Sequence, residues 1–321
     1  MKAERCFRFI VFLLMLFVMS ACTDKPEYIP TEEMQKFGAA DGLISNFVND
    51  LCFDQQGSLW VATEFGVSQF DGSQWISYNT PQGLIHHQVN AIAAAPDGSV
   101  WMGTPYGVSW LKDGLFVNFD ISNGLSYNYV YDVAVDKDGN PWVATGHGVN
   151  YFDGISWHVL EKAGGQALVH NIVRSVTVDK NQVKWFGTEY GISRYQNQEW
   201  QTLLAQNNQA GFVVSLFADQ SNQVWIGSLA GVTTYDGNRF QDYTMNDGLV
   251  FSRIDAITQS TNGWMWFGTI YGLNSFDGQQ WKTYTIDQGL PENTITALTT
   301  DQQGNIWIGT KSKGIVKLSL L

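Results

Sequence analysis

The chain has 321 residues and a formal net charge of −12 at pH 7, with 18 lysines and arginines against 30 aspartates and glutamates. This acidic balance argues against nucleic acid or an anionic membrane surface as a partner, because both would repel it. Only Cys52 lies outside the first 22 residues, so a disulfide framework is excluded and this cysteine is predicted to be a small core residue.

The first 21 residues are predicted to be a signal peptide. Lys2, Arg5 and Arg8 form a basic start, and Phe9–Val18 is an apolar run too short to span a bilayer as a helix. Removing this segment would leave a more acidic chain, with a net charge of about −14, because the segment carries Lys2, Arg5 and Arg8 against one glutamate.

The end of this segment, Met19-Ser20-Ala21-Cys22, resembles a bacterial lipobox. That resemblance implies cleavage before Cys22 and acylation of its thiol and amine, with residues 22–30 as a polar tether. Two or three acyl chains would hold the protein stably on a membrane. The alternative is an ordinary secretory signal in which the cysteine occurs by chance.

A repeat occupies the rest of the chain. The stretch Trp60-Val61-Ala62-Thr63-Glu64-Phe65-Gly66 returns in modified form, with its tryptophan at 101, 142, 185, 225, 266 and 307. The steps of 41, 41, 43, 40, 41 and 41 residues define seven units. A period of this length is typical of a repeat architecture.

Each unit is predicted to form a four-stranded antiparallel sheet, with strands A to D. In the first unit the strands are Val48–Phe53, Leu59–Thr63, Val67–Phe70 and Trp75–Tyr78, with turn residues between them. Glu64-Phe65-Gly66 is predicted to form a three-residue hairpin whose glycine is left-handed.

Seven such sheets are predicted to form an all-β, seven-bladed propeller over residues 31–321. Trp60 and Ala62 share one face of strand B, and the residue two after each tryptophan stays small. A large ring beside a small residue lets neighbouring sheets interlock. Four strands in about 40 residues are typical of propellers, whereas solenoid units carry helices or single short strands.

The two ends of the chain are predicted to complete the last blade together. That blade supplies strands at Ile295–Thr300, Ile306–Thr310 and Gly314–Leu318 but no fourth strand. Met34–Phe37 precedes Gly42-Leu43 by the same spacing that Trp281–Tyr284 precedes Gly289-Leu290. We therefore expect Met34–Phe37 to be the missing D strand, which would remove two exposed sheet edges.

The repeat resembles the two-component regulator propeller repeat. The shared pattern is Gly-Leu-x-x-Asn-x-Val, then Asp-x-x-Gly-x-x-Trp-x-Gly-Thr-x-x-Gly, then Tyr/Phe-Asp-Gly, and it is clearest in Gly42–Gly72, Gly124–Gly154 and Gly289–Gly314. The resemblance implies an extracytoplasmic sensor domain, of a kind often placed before a histidine kinase in bacterial regulators that respond to glycans. Units four and five depart most, at Ala167-Leu168, Gln196, Asn207-Asn208-Gln209 and Ser228.

Strand direction alternates, so the blades have two different rims. The D–A and B–C connections share one, here called the loop rim, and the A–B and C–D connections share the other, here called the turn rim. Aspartates recur at equivalent positions on the turn rim, and they are predicted to cap their own turns. They are Asp54, Asp71, Asp136, Asp153, Asp179, Asp219, Asp236, Asp277 and Asp301.

The loop rim varies between blades and is predicted to carry the ligand site. Its aromatic, amide, histidine and charged side chains suit sugar faces or peptides. The candidates are His87, Tyr106, Asn128, His147, His170, Arg174, Glu189, Tyr190, Asp255 and Tyr271. Asn49, Asn90 and Tyr131 are expected near the channel mouth, and the extra residues of Glu161–Gln166 are expected to lengthen a loop on this rim.

Some candidates have a simpler explanation. Asn46, Asn128, Asn171 and Asn293 occupy one repeat position, which favours a role in holding the loop. The aromatic tips can equally cover a neighbouring blade. The spacing of the histidines does not match a metal site, so no metal or cofactor is predicted.

The sequence therefore favours a lipid-anchored ligand-binding or sensor-like module of the bacterial cell envelope, at the outer membrane on its periplasmic or surface side. Glycans or peptides are the expected ligands, and an envelope protein is a further possible partner. Two alternatives stay open. One is a propeller lyase, resembling streptogramin B lyases or polysaccharide lyases, which would turn over its substrate. The other is an envelope scaffold, which would bind a protein and no small molecule.

Overall fold

The computed structural model describes residues 32–162, 168–203 and 211–320. Within these residues, seven four-stranded antiparallel sheets form a single compact unit, which confirms the predicted seven-bladed propeller. The predicted signal peptide, Cys22, the tether and Asn207-Asn208-Gln209 lie outside the described residues, as does most of Glu161–Gln166.

The strand bounds follow the repeat closely. The A strands are β2 (Val48–Phe53), β6 (Ala91–Ala94), β10 (Val130–Val135), β14 (Val173–Val178), β18 (Val213–Ala218), β22 (Ala256–Gln259) and β26 (Ile295–Thr300). The B strands are β3 (Leu59–Thr63), β7 (Val100–Thr104), β11 (Pro141–Thr145), β15 (Lys184–Thr188), β19 (Val224–Ser228), β23 (Met265–Thr269) and β27 (Ile306–Thr310). The C strands are β4 (Gly66–Phe70), β8 (Gly107–Lys112), β12 (Gly148–Phe152), β16 (Gly191–Gln196), β20 (Val232–Tyr235), β24 (Gly272–Phe276) and β28 (Ile315–Leu320). The D strands are β5 (Trp75–Tyr78), β9 (Leu115–Phe119), β13 (Trp157–Leu160), β17 (Glu199–Leu203), β21 (Phe240–Tyr243), β25 (Trp281–Tyr284) and, in the last blade, β1 (Glu32–Phe37).

Strand β1 closes the ring as predicted, with two more residues than expected. It pairs antiparallel with β28, in a register that runs from Glu32 opposite Leu320 to Phe37 opposite Ile315. Phe37 also stacks on Trp307, with ring centroids 5.4 Å apart. The last blade therefore draws its outer strand from the beginning of the propeller, and Glu32 lies at the turn rim.

The core lies between the blades, where the B strands are almost wholly buried. The small residue two positions after each tryptophan of the repeat has the predicted packing role. A Cβ added to Gly268 would lie 2.6 Å from Cγ2 of Ile295 in the next blade, which is closer than real Cβ contacts. Cys52 is a free thiol packed against one of these core clusters, as predicted.

Two local features differ from the expected pattern. Thr63 pairs with Gly66, so two residues rather than three separate the paired positions of this hairpin, although Gly66 is left-handed as predicted (φ 137°). Among the residues that the structure describes, three D–A connections contain short 3-10 helices, at Ala39–Asp41, Thr80–Gln82 and Ile286–Gln288. In the described part of the chain no helix has the length and apolar character that a membrane span requires.

The turn-rim aspartates cap their turns as predicted. Oδ1 of Asp136 accepts hydrogen bonds from the backbone N–H of Asp138 (3.1 Å) and Asn140 (3.0 Å). Oδ1 of Asp71 accepts from the N–H of Ser73 and Gln74 in the same way. These bonds satisfy backbone donors that the tight turns leave unpaired.

Candidate functional site

One position near the loop-rim end of each A strand lines the axial channel, whose volume is about 370 Å³. The seven residues at this position are Asn49, Asn90, Tyr131, Arg174, Val214, Asp255 and Thr296. Three of them link neighbouring blades, because each donates to a backbone carbonyl of the next blade. The donors are Asn49 to Val89 (2.8 Å), Asn90 to Val130 (2.8 Å) and Thr296 to Val48 (2.7 Å). Blades three, four and six instead place an aromatic ring, a cation and a carboxylate at the channel mouth.

Arg174 is held in a defined orientation at this mouth. Its guanidinium lies 4.3 Å from the ring centroid of Tyr131 and 5.5 Å from that of Phe212. Nε donates a 3.1 Å hydrogen bond to Oε1 of Glu189, and Nη2 contacts the same oxygen. Among the described residues, these bonds use two of the five guanidinium N–H groups and one carboxylate oxygen of Glu189. Within the described ranges, the remaining donors and Oε2 have no hydrogen-bond partner and can serve a ligand.

His170 and Tyr190 form an aromatic pair on the same blade, with ring centroids 4.7 Å apart. Nδ1 of His170 accepts a 3.1 Å hydrogen bond from the N–H of Ile172, so the neutral ring carries its proton on Nε2. Tyr190 is 64% exposed although it follows the partly buried Glu189 directly. This blade therefore presents a stacking surface beside the Arg174–Glu189 pair.

His147 lies within hydrogen-bonding distance of the carboxylate of Glu161, which is not among the predicted site residues. Its Nδ1 is 3.1 Å from Oε1 of Glu161, and the imidazole is half exposed. Glu161 belongs to the segment that is predicted to lengthen a loop on this rim, and that prediction was the sequence signal that could have identified it. The pair orients an imidazole toward solvent, an arrangement that suits binding or proton transfer.

A second aromatic group lies on blades one and two. The ring of His86 is 4.2 Å from that of His87 and 4.6 Å from that of Tyr106, and His87 lies 6.2 Å from Phe65. Burial lowers the pKa of His86 below its usual 6.5, so this ring is mainly neutral at pH 7. Phe65 and Tyr106 expose more than half of their surface. This group is therefore a second exposed stacking surface.

Asp255 and Tyr271 lie on blade six with partners of their own. Oδ1 of Asp255 accepts a 2.7 Å hydrogen bond from Nε of Arg253, whereas Oδ2 is buried without a partner among the described residues. Burial raises the pKa of Asp255, and the bond from Arg253 partly offsets this effect. The ring of Tyr271 lies 4.7 Å from that of Phe251.

Asn128 is engaged within its own loop. Its Oδ1 accepts a 2.9 Å hydrogen bond from the N–H of Ile121. Asn46, Asn171 and Asn293 make the same contact in their blades, to the N–H of the residue seven positions earlier or, for Asn171, nine. The loop-holding role expected for this repeat position is thus present in four blades.

Two aspartates that line the channel, Asp50 and Asp132, were not among the site residues predicted from the sequence. Each accepts one bond from the next residue and another from the neighbouring blade, at Ile92 and Val176 respectively. Burial raises the pKa of Asp50 to about 7 and that of Asp132 to about 6. The sequence did contain a signal for these two aspartates, because the other blades carry small residues at the same repeat position. Those residues are Ala91, Ser175, Ser215, Ala256 and Ala297.

The structure therefore joins some candidates and separates others. It pairs Arg174 with Glu189 and His170 with Tyr190 on blade four, and it places Tyr131 beneath the guanidinium. Asp255 and Tyr271 stay on another part of the ring. Within the described ranges, no three His, Cys, Asp or Glu side chains converge as metal ligands.

Comparison with known proteins agrees with the fold and the repeat. The family model described as two component regulator propeller matches residues 42–65 and 289–312. The chain is similar to the extracellular domain of a hybrid two-component system from B. thetaiotaomicron, with a TM-score of 0.76, 22% identity, and coverage of 90% of this chain and 42% of that one. A one-component system from the same organism gives a TM-score of 0.74 and 19% identity, with coverage of 89% and 40%.

The chain thus spans about two fifths of the length of these two extracellular domains. It is also similar over its propeller to virginiamycin B lyase from Staphylococcus aureus, with a TM-score of 0.75, 14% identity, and coverage of 90% of this chain and 100% of that one. No curated protein matches the sequence significantly. The chain is therefore a seven-bladed β-propeller that carries the two-component regulator propeller repeat.

Proposed function

We propose that this protein is a lipid-anchored, sensor-like binding module of the bacterial cell envelope that takes its ligand on the loop rim. The observation that carries this proposal is the guanidinium of Arg174, fixed between Tyr131 and Phe212 and paired with Glu189 at the mouth of the channel. A partly buried, oriented cation with unused N–H donors is suited to recognition, because the cost of ordering it is met before the ligand arrives.

The chemistry around Arg174 suits a glycan or a peptide. Tyr190 and His170 offer rings that can stack on a sugar face or an apolar side chain. Oε2 of Glu189 offers an acceptor for hydroxyl or amide donors. A ligand that carries both polar groups and an apolar face would use all of these groups.

The lipid anchor and the envelope location rest on the sequence. The lipobox-like residues end at Cys22, and the similar extracellular domains belong to bacterial one-component and two-component systems.

The proposal is tested with the full-length chain in detergent, first screened against glycan and peptide arrays. For a ligand found in this way, Arg174→Gln and Tyr190→Ala should each weaken binding about tenfold or more, which corresponds to ~1.4 kcal/mol. Ile155→Ala is the matched control, because Ile155 is 90% exposed at a turn-rim hairpin. Parent-like binding by both loop-rim variants, together with loss in Ile155→Ala, would show that the site is on the other face.

A propeller lyase is the second candidate, because the His147–Glu161 pair resembles an oriented general base. The test is to incubate the protein with a streptogramin B antibiotic and follow the substrate by mass spectrometry. A lyase should give a product of unchanged mass and altered fragmentation, and His147→Ala should abolish it. An unchanged substrate in the presence of the parent protein would argue against a streptogramin lyase.

A further inference from the structure

A second cavity opens on the turn rim, between the last blade and the first. Its volume is about 360 Å³, and Phe37, Phe53, Phe70 and Trp307 lie in its wall. Phe37 stacks on Trp307 with centroids 5.4 Å apart, and Phe53 meets Trp307 edge to face at 5.8 Å. The three phenylalanines are partly exposed, so some ring surface is accessible in the cleft.

One residue of this wall is specific to the junction where the ring closes. Phe53 ends strand β2, and it is the only aromatic residue at this position in the seven blades. The other six residues are Ala94, Val135, Val178, Ala218, Gln259 and Thr300. The repeat therefore does not require an aromatic ring here, and Phe53 adds a ring to this cleft that the other blade junctions lack.

Polar groups surround the same cleft. The side chains of Gln35, Gln56, Gln302 and Gln303 line it, and within the described residues their amides make no intramolecular hydrogen bond. Nζ of Lys317 lies 5.5 Å from the centroid of the Trp307 ring and 3.9 Å from Oδ2 of Asp301, which is beyond hydrogen-bonding distance. The cleft thus combines ring faces with unused donors and acceptors.

We propose that this cleft is a second binding site, which takes one or two neutral pyranose sugars and is independent of the loop-rim site. A pyranose has an apolar face that stacks on aromatic rings and equatorial hydroxyls that pair with amides. The volume lies at the lower end of the range for ligand cavities, which limits the ligand to a small saccharide.

Other ligand classes fit the cleft less well. A purely apolar ligand would leave the glutamine amides desolvated and unpaired. A cation would meet the ammonium group of Lys317. Asp301 cannot readily balance such a cation, because its oxygens already accept bonds from Trp307, Gln303 and Asn305. A strongly anionic ligand would face the net negative charge of the protein.

The test uses the full-length protein and four neutral disaccharides: maltose, cellobiose, xylobiose and N,N′-diacetylchitobiose. Binding is measured by saturation-transfer NMR and titration calorimetry. At least one disaccharide should bind the parent, and Phe53→Ala and Gln35→Ala should each weaken that binding at least fivefold. Phe53→Ala should fold, because Ala94 and Ala218 occupy the same position in other blades. Gln35→Ala is an independent test of the site, because Gln35 is exposed and its replacement should leave the fold intact.

Gln241→Ala is the matched control, because Gln241 occupies the position of Gln35 on the outer strand of another blade. It should bind as the parent does. The proposal is overturned if none of the four disaccharides binds, or if Phe53→Ala and Gln35→Ala bind as the parent does. Loss of disaccharide binding in Tyr190→Ala alone would place the sugar on the loop rim and also overturn this second site.

Discussion

The indole Nε1 of Trp60 donates a 2.8 Å hydrogen bond to Oδ2 of Asp54, six residues earlier in the chain. The same bond forms between Trp142 and Asp136 (3.1 Å), Trp185 and Asp179 (3.0 Å), Trp225 and Asp219 (2.9 Å), and Trp307 and Asp301 (2.9 Å). Each aspartate therefore caps its turn and also satisfies a buried indole donor.

Two blades depart from this pairing. In blade six, Oγ of Ser260 accepts the bond from Trp266 at 3.1 Å. In blade two, Ala95 occupies the position, and Nε1 of Trp101 is buried without a partner among the described residues. An unpaired buried donor of this kind costs ~1–3 kcal/mol.

Ala95→Ser should therefore raise the free energy of unfolding by about 1 kcal/mol, because its hydroxyl can accept the bond from Trp101. Urea denaturation measures the change. The reciprocal variant Ser260→Ala should lower the free energy by a similar amount, since it recreates the arrangement of blade two. Equal stability of Ala95→Ser and the parent would mean that the serine does not reach the indole.

Stability should also depend on the two buried channel aspartates. The pKa of Asp50 is raised to about 7 and that of Asp132 to about 6, mainly by burial, and the charge of Asp132 adds to the effect at Asp50. The native state then holds these protons more tightly than the unfolded chain does. The free energy of unfolding should therefore fall as the pH rises from about 4 to about 7, by ~1.4 kcal/mol for each unit of pKa difference.

The measurement is urea denaturation at about pH 5 and about pH 8. Asp50→Asn should show a clearly smaller loss of stability between the two than the parent, because this side chain no longer ionises. Asp113→Asn, at an exposed turn, is the control and should follow the parent. The same pH dependence in Asp50→Asn and the parent would contradict the role assigned to Asp50.

Strand β1 should be essential to the stability of the ring. Removing residues 1–37 would expose the edge of β28 and the face of Trp307 that Phe37 covers, at ~25 cal/mol for each Å² of apolar surface. Thermal unfolding should show a markedly lower melting temperature. The matched control removes residues 1–31 and keeps all of β1, so it should melt close to the parent. Equal melting of the two truncated proteins would exclude a stabilising role for β1.

Membrane attachment should depend on Cys22. When the protein is expressed in a bacterium, Cys22→Ser should move it from the membrane pellet to the soluble fraction, because no acyl chain can then be added. Cys52→Ser is the control, because Cys52 is a partly buried residue of the propeller. Continued sedimentation of Cys22→Ser with membranes would show that the lipobox interpretation is wrong.

The sequence was sufficient for the architecture because the propeller repeats its local interactions. A fixed period repeats Trp60, the small residue two positions later and Gly66. Blade number and strand order therefore follow from the spacing alone. Closure by β1 also followed from spacing, since Met34–Phe37 stands before Gly42 as Trp281–Tyr284 stands before Gly289. In each case, residues close in the chain carry the pattern.

Only the tertiary structure decided which polar groups remain available for a ligand. Asn49 and Arg174 occupy the same repeat position, yet the first is bonded to the next blade and the second faces the channel mouth between Tyr131 and Phe212. These partners lie about 40 residues away in the chain. A repeat pattern records the position of each residue within its own blade, whereas the environment of a side chain at the rim depends on the neighbouring blade, whose residues at these positions vary independently.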